Sequence, residues 1–297
     1  MRYRILHTTE YDYAEPASTC HNQVHLTPRE LPYQHRLSSD VEVAPQPHAM
    51  REHIDSFGNT VTTFAIYEPH RCLTITARSE VEVDGSGVGG AAVPTLWSSP
   101  PWEVVRDQLR SSHDGAVLDA VPFLFASPYV TTCQRIAAFA ADSFPPGRPL
   151  LDAAQALTAR IKRDFKYQPL STTLATSSLD VLTSRVGVCQ DFAHLQVACL
   201  RSLGLAARYV SGYLRTDPPP GKPRLVGADA SHAWVSVFCP VTGWQDFDPT
   251  NGCARGDQHI TLAWGRDYGD VSPVKGVVLG GGENKLRVSV DVEPVDE

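Results

Sequence analysis

The chain has 297 residues and a mass of 32.4 kDa, and its hydrophobic fraction of 42% is enough to fill a substantial core. The chain has 26 Lys and Arg against 33 Asp and Glu, a net charge of −7. Binding of nucleic acid mainly through electrostatic attraction is therefore not expected. Its apolar stretches are shorter than the roughly 20 residues that a membrane-spanning helix needs, so we expect no membrane segment.

Residues 1–85 alternate between apolar and polar side chains, which is the period of half-buried β-strands. The alternation is clearest over residues 2–13 and 73–83, and Pro, Gly and Asn separate the apolar segments. We predict an all-β domain over residues 1–85. Gly, Ser, Ala and Pro dominate the next segment, so residues 86–101 are predicted to be a linker.

Residues 102–297 are predicted to form a second domain, of the α+β class. Apolar residues recur at helical spacing from Leu150 to Phe165, and again in a helix that begins at Cys189. Strand patterns follow, and we expect an antiparallel sheet with the helices packed on it. The predicted strands cover residues 207–215, 232–239, 243–248, 277–279 and 286–292.

The seven cysteines are an odd number spread along the chain, with no Cys-x-x-Cys pair. This pattern favours free thiols in a reducing compartment over a disulfide framework. We therefore expect a cytoplasmic location.

Cys189 stands where a turn leads into a helix. The free N–H groups and the positive dipole at that end of a helix favour a thiolate over a thiol. Because Cys189 lies three residues before Phe192, it shares the apolar face of the helix. We expect its side chain to point towards the sheet.

Two of the predicted strands carry a histidine and an aspartate. If the turn between residues 232–239 and 243–248 centres near Val241, His232 lies opposite Thr250 and one diagonal step from Asp248. A shift of one residue would turn Asp248 to the other face. Asp246 has the same parity and is a competitor, but Asp248 is favoured because it stands at the strand end.

Cys189, His232 and Asp248 together could act as nucleophile, general base and orienting carboxylate. Each residue type alone is more often structural, so the hypothesis depends on the three occurring in this joint context. Two alternatives use the same residues. One is a catalytically silent binding or scaffolding protein, and the other is a zinc site with one open position.

Three segments carry a resemblance to a known family. Residues 187–194 (GVCQDFAH), 231–234 (SHAW) and 246–252 (DFDPTNG) resemble the catalytic blocks of the transglutaminase-like superfamily, in its bacterial branch of predicted transglutaminases and cysteine proteases. Residues 55–59 (DSFGN) resemble the β-domain that accompanies these enzymes. The resemblance implies a papain-like core and acyl transfer through a thioester. The substrate would be a protein or peptide amide, with a primary amine or water as acceptor. Because the sequence has no acidic calcium-binding loop of the EF-hand kind, we expect no required cofactor or metal.

The resemblance also implies an oxyanion site, made by the backbone N–H of Cys189 and one further donor. Tyr167 is the candidate, although it could instead pack beneath the following loop. Gln190 would help to seat the first helical turn beside the site. Trp234 and Trp244 could line an acyl-binding cleft, or could pack across the strands as ordinary aromatic neighbours.

Overall fold

The structure is a computed structural model that describes residues 1–84, 99–216 and 230–295. Its two antiparallel sheets, with helices packed on the second, confirm the predicted α+β class. Most of the predicted linker at residues 86–101 lies outside the described residues, since these resume at Ser99. None of the helices in the described ranges is long and apolar enough to cross a membrane.

The first sheet is organised around one long strand, β1 (Arg2–Val24). Odd-numbered side chains from Tyr3 to Thr9 are buried while most of their even-numbered neighbours are exposed, as alternation along a strand requires. Four further strands of this sheet precede the helices: β2 (Gln34–Ala44), β3 (Ala49–Ile54), β4 (Thr60–Ile66) and β5 (His70–Val83). The first half of β1 pairs with β5, and the second half pairs with β4.

The helices follow, with α6 at the centre of the second half. They are α1 (Trp102–Ser111), α2 (Gly115–Ala120), a 3-10 helix (Val121–Leu124), α3 (Gln134–Ala141), α4 (Leu150–Asp164), α5 (Ser178–Ser184) and α6 (Cys189–Ser202). Two short parallel strands, β6 (Lys166–Tyr167) and β7 (Val186–Gly187), flank α5. α6 packs against α3, α5 and the second sheet, and its residues from Asp191 to Arg201 are buried.

The second sheet has five strands in the order β11-β10-β9-β8-β12. They are β8 (Ala207–Leu214), β9 (Ala230–Cys239), β10 (Gly243–Asp248), β11 (Cys253–Ala254) and β12 (His259–Gly265), and a short helix, α7 (Tyr268–Val271), follows. In the β9–β10 hairpin Trp244 pairs with Phe238, and Asp246 pairs with Ser236. This is the register that the sequence predicts for a turn near Val241.

The last two strands, β13 (Val274–Gly280) and β14 (Asn284–Val295), join the first sheet and not the second. β14 pairs with the first half of β1, and β13 pairs with the second half. The predicted placement of these strands in the sheet of the second half is wrong, because an alternating pattern identifies a strand without identifying its partner. The predicted domain 102–297 therefore holds strands of both sheets.

Two hydrophobic cores organise the described residues. One lies between the helices and the second sheet and includes most of the buried face of α6. The other lies under the first sheet, but it also contains Tyr213, Ile260 and Leu262 from β8 and β12. The two sheets therefore share a core, and this brings one face of β1 and β14 near the first residue of α6.

Candidate active site

Cys189 is the first residue of α6 and is half-buried. The turn before it is held by Asp191, whose carboxylate accepts hydrogen bonds from the backbone N–H of Val188 (2.8 Å) and the hydroxyl of Thr172 (2.7 Å). Gly187 allows this arrangement, because a Cβ there would lie 2.9 Å from both Cβ and Oδ2 of Asp191. The sequence thus fixes the sulfur at the positive end of the helix.

His232 on β9 and Asp248 at the end of β10 form a hydrogen bond of 2.8 Å between Nε2 and Oδ2. The side chain of Asp248 is fully buried, and that of His232 is 9% exposed. Asp246, the competitor, instead accepts hydrogen bonds from Nε1 of Trp234 (3.1 Å) and the hydroxyl of Tyr33 (3.5 Å). The structure therefore brings Asp248 to His232.

The carboxylate of Asp248 is surrounded by hydrogen-bond donors. Its Oδ1 accepts from the backbone N–H groups of Thr250 (2.8 Å) and Asn251 (3.1 Å), and its Oδ2 accepts from Nδ2 of Asn251 (2.6 Å) as well as from His232. Burial alone would raise the pKa of Asp248, but hydrogen bonds from His232 and His259, together with the charge of His232, hold it well below its usual range. Asp248 is therefore a carboxylate at neutral pH.

His259 is a member of the site that sequence reasoning missed. Its Nε2 lies 3.2 Å from Oδ2 of Asp248, and its Nδ1 accepts the backbone N–H of Gly256 at 3.1 Å. An acceptor nitrogen carries no proton, so the Gly256 contact leaves Nε2 as the nitrogen that carries the proton. His259 therefore donates to Asp248. No local pattern marks it in the sequence, because its partner lies on another strand.

Electrostatics at His232 favour the imidazolium. Burial opposes this charged form, but hydrogen bonds with Asp248 and Cys189, together with their charges, outweigh it and raise the pKa of His232 to about 10. Since Nε2 faces Asp248, Nδ1 is the nitrogen left for Cys189. An imidazolium can donate from both nitrogens, so this arrangement can hold a thiolate at Cys189.

A cavity of about 390 Å³ opens beside the sulfur. Cys189, Gln190 and His232 lie on one side of it, next to Tyr209 and Tyr268. Side chains of β1 and β14 in the first sheet also line it. The reacting groups therefore face a partly enclosed space that both sheets help to shape.

Two family models match the chain. The model described as the bacterial transglutaminase-like N-terminal region matches residues 3–82, and that of the transglutaminase-like superfamily matches residues 137–249. A relative, Rv2569c of Mycobacterium tuberculosis, is 40% identical over 304 residues, which cover 99% of this chain and 93% of the relative. The chain belongs to the transglutaminase-like superfamily. The relative ML0607 of Mycobacterium leprae is 35% identical over 294 residues, 98% of each chain.

A solved structure agrees with this membership. The crystal structure of a proposed cysteine protease from Cytophaga hutchinsonii superposes with a TM-score of 0.73 at 23% identity, covering 100% of this chain and 92% of that one. This likeness shows the fold. The transglutaminase-like fold supports acyl transfer or hydrolysis in general terms, on protein or peptide substrates.

The superfamily match contains Cys189, His232 and Asp248, whereas His259 lies beyond its last residue. The other predicted positions differ in their distance from the cavity. Gln190 lines it. Tyr167 is 49% exposed and lies near Cys189. Burial raises the pKa of Tyr167, and the charge of Cys189 raises it further.

Neither tryptophan lines the cavity of this transglutaminase-like chain. Trp234 is fully buried and packs edge-on against His259, with ring centroids 5.2 Å apart. Trp244 packs against Phe123 (5.2 Å) and Phe238 (5.3 Å) on the far side. Cross-strand packing, the alternative that the sequence left open, describes both residues.

His232, Asp248 and His259 are also a candidate metal cluster, since their ligand atoms lie within 4.8 Å of one another. A metal at Nε2 of His259 would need the proton of that ring on Nδ1. The backbone N–H of Gly256 already points at Nδ1, so the two hydrogens would collide. The donor set therefore fits a hydrogen-bonded histidine better than a zinc ligand.

Proposed function

We propose that this protein is a cysteine-dependent acyltransferase or amidohydrolase that acts on protein or peptide amides, with Cys189 as nucleophile. One observation carries the proposal. His232 is hydrogen-bonded to Asp248 at 2.8 Å, and it lines the same cavity as the half-buried Cys189, whose charge helps to raise the pKa of His232. This is the arrangement that nucleophilic catalysis by a thiolate requires.

In the first step the thiolate of Cys189 attacks the carbonyl carbon of a glutamine side chain or a peptide bond. The C–N bond then breaks, and the imidazolium of His232 gives its proton to the departing nitrogen, which leaves as ammonia or an amine. Asp248 stays ionised throughout and holds the ring through Nε2. The product of this step is a thioester at Cys189 with a neutral His232.

In the second step a primary amine or water attacks the thioester. His232 removes a proton from the attacking nitrogen or oxygen, and the C–S bond breaks to return the thiolate–imidazolium pair. An amine gives a new amide, and water gives a carboxylic acid. Both reactions use the same groups in the same order.

The backbone N–H of Cys189 is proposed to hold the oxyanion, with Tyr167 as the second donor. Burial first and the charge of Cys189 second raise the pKa of Tyr167, so its hydroxyl keeps the proton that a donor needs. Tyr209, which lines the cavity, is the competing donor, since burial likewise raises its pKa. Tyr167→Phe and Tyr209→Phe distinguish them, because losing one oxyanion donor lowers kcat about 10²–10³-fold.

The test is incubation with a glutamine-containing protein and a labelled primary amine. Amine incorporation that disappears in Cys189→Ala and persists in Cys72→Ala supports transfer, and new peptide termini with the same dependence support hydrolysis. Cys72 is a suitable control because it is free and exposed on β5. If Cys189 also reacts with iodoacetamide no faster than Cys72 near neutral pH, the proposal is wrong and the scaffolding alternative is favoured.

The proposal places the reaction in the cytoplasm. All seven cysteines are free in the structure, including exposed Cys72, Cys133 and Cys253. Free exposed thiols persist in a reducing compartment. Fractionation of cells that produce the tagged protein tests this placement.

A further inference from the structure

The part of the cavity lining that comes from the first sheet is a regular piece of β-ladder. Over residues 7–11 of β1 and 286–290 of β14, every second residue lines the cavity, and these residues are direct cross-strand partners. The three pairs are His7 with Val290, Thr9 with Val288, and Tyr11 with Leu286. We call this set the ladder wall.

The opposite face of the same two strands is charged. Glu10 pairs with Arg287 and Asp12 pairs with Lys285, and Nη1 of Arg287 lies 3.0 Å from a carboxylate oxygen of Asp12. Alternation along the strands therefore sorts the side chains, with charge away from the cavity and uncharged groups towards it. Among the described residues that line the cavity there is no Lys, Arg, Asp or Glu.

The ladder wall changes from exposed to buried along its length. Leu286 and Val288 are 54% and 52% exposed, whereas Val290 and His7 are each 1% exposed. His7 is held neutral at the buried end: burial lowers its pKa to about 4, and its nitrogens contact the hydroxyls of Tyr213 and Thr9 at 2.9 and 3.0 Å. A side chain that lay along the ladder wall would meet Leu286, Val288 and Val290 and no charged residue, since the ionic groups of the cavity, His232 and Cys189, belong to the reacting site.

These features indicate which substrates the cavity accepts. At the ladder wall, which carries no charged residue, a charged substrate group would lose its hydration without gaining a partner, whereas an apolar group would gain by leaving water. The cavity of about 390 Å³ is near the lower end of the roughly 300–1,000 Å³ typical of ligand sites, so it is suited to one side chain and its backbone.

We infer that the ladder wall is the specificity surface of this enzyme, and that it binds an uncharged, apolar side chain next to the residue whose amide Cys189 attacks. The inference rests on the proposed function, because it assigns a substrate class to that same site. Val288 is the residue on which the test depends, since it lies in the middle pair and is half-exposed.

The experiment uses two chloromethyl ketones, acetyl-Leu-Gly-CH₂Cl and acetyl-Asp-Gly-CH₂Cl, from which the thiolate of Cys189 displaces chloride. Mass spectrometry of the Cys189 peptide gives each rate, and iodoacetamide gives the rate of a reagent without side chains. Each probe rate is divided by the iodoacetamide rate, so that a change in thiol reactivity cancels. We expect the Leu probe to react at least about 10-fold faster than the Asp probe, the size of a modest difference in hydrophobic contact.

Val288→Glu should reduce this ratio to about 1 or below. The matched control is Ser289→Glu, which adds the same charge to the exposed opposite face of the same strand and should keep the ratio. Val288→Thr, nearly isosteric, should lower the ratio by a smaller factor and serves if the Glu variant does not fold.

The outcomes separate the two proposals. Rapid labelling of Cys189 by iodoacetamide with a wild-type ratio near 1, or a ratio unchanged by both Val288 variants, overturns the ladder-wall inference and leaves the proposed function standing. A Cys189 that iodoacetamide labels no faster than Cys72 overturns the proposed function itself.

Discussion

Asp248→Asn is the substitution that most directly tests how His232 is charged. The variant keeps the size of the side chain and an acceptor for the N–H groups of Thr250 and Asn251, but it removes the negative charge beside Nε2 of His232. We expect the pKa of His232 to fall, because burial then opposes the imidazolium with only Cys189 to favour it.

The structure supplies the scale of this effect. Two other histidines, His7 and His194, are buried without a carboxylate partner at hydrogen-bond distance, and burial lowers the pKa of each from 6.5 to about 4. The pKa of His232 is about 10, so Asp248 and Cys189 together raise it by about 6 pH units over a buried histidine without them. If Asp248 supplies half of this increase, the pKa of His232 in Asp248→Asn is about 7, and the change corresponds to about 4 kcal/mol.

The assay is a pH titration of the His232 ring nitrogens by NMR in protein labelled with ¹⁵N-histidine, with His232→Gln used for assignment. The alkaline limb of the activity profile should move with the pKa, because the leaving nitrogen takes its proton from His232. Asp246→Asn is the matched control. It removes a carboxylate from the same face of the same strand, but this one contacts Trp234 and Tyr33.

A folded Asp248→Asn protein in which His232 still titrates near 10 would refute the reasoning, since Cys189 alone would then maintain the imidazolium. An equal shift in Asp246→Asn would also refute it, because the effect would then come from the general field and not from the hydrogen bond.

Three further results are expected. The pKa values of His7 and His194 are about 4 in the folded protein and 6.5 in the unfolded chain. Their contribution to the free energy of unfolding is therefore complete above pH 6.5 and is lost as the pH falls towards 4, by about 3 kcal/mol for each residue. His232, whose pKa is raised, loses its contribution only above pH 6.5 and does not add to this loss. The unfolding free energy of His194→Gln, measured in urea, should therefore depend less on pH between 6.5 and 4 than that of the wild type, and an unchanged dependence would contradict the assignment. Gly187→Ala should cost about 1–3 kcal/mol in unfolding free energy and slow the alkylation of Cys189, because its Cβ would displace Asp191. Gly115→Ala, where nothing lies within 4 Å, should do neither, and equal losses in both would point to backbone effects. Dialysis against a chelator should leave the melting temperature of the protein and the alkylation rate of Cys189 unchanged, since the N–H of Gly256 already donates to Nδ1 of His259. One zinc per chain by metal analysis, with loss of stability when the zinc is removed, would contradict this.

The arrangement of His232 and Asp248 follows from local patterns in the sequence. Both lie in one hairpin, where strand alternation and a short turn determine which residues face each other. The position of Cys189 at the start of α6 also follows from the local sequence, since Gly187 and Asp191, which shape this turn, lie within two residues of Cys189. Short-range rules of this kind can be applied without any coordinates.

His259 and the ladder wall depend on long-range contacts, and this is why the sequence did not predict them. A strand pattern does not say which strand it pairs with, so β13 and β14 were expected in the second sheet and are found in the first. Without that pairing, nothing in the sequence places Val288 opposite Thr9, or either of them beside Cys189. His259 reaches Asp248 only because β12 folds back at the end of the second sheet.

The pairing of β1 with β14 has a consequence for biosynthesis. The ribosome makes β1 long before β14, yet Arg2 pairs with Val295 and Tyr13 pairs with Asn284. One hydrogen-bonding edge of β1 therefore stays unpaired until β13 and β14 have emerged. Chains with such long-range strand pairing fold slowly through intermediates that expose hydrophobic surface and unpaired strand edges. Nascent chains of this protein should therefore depend on chaperones that shield β1 during translation.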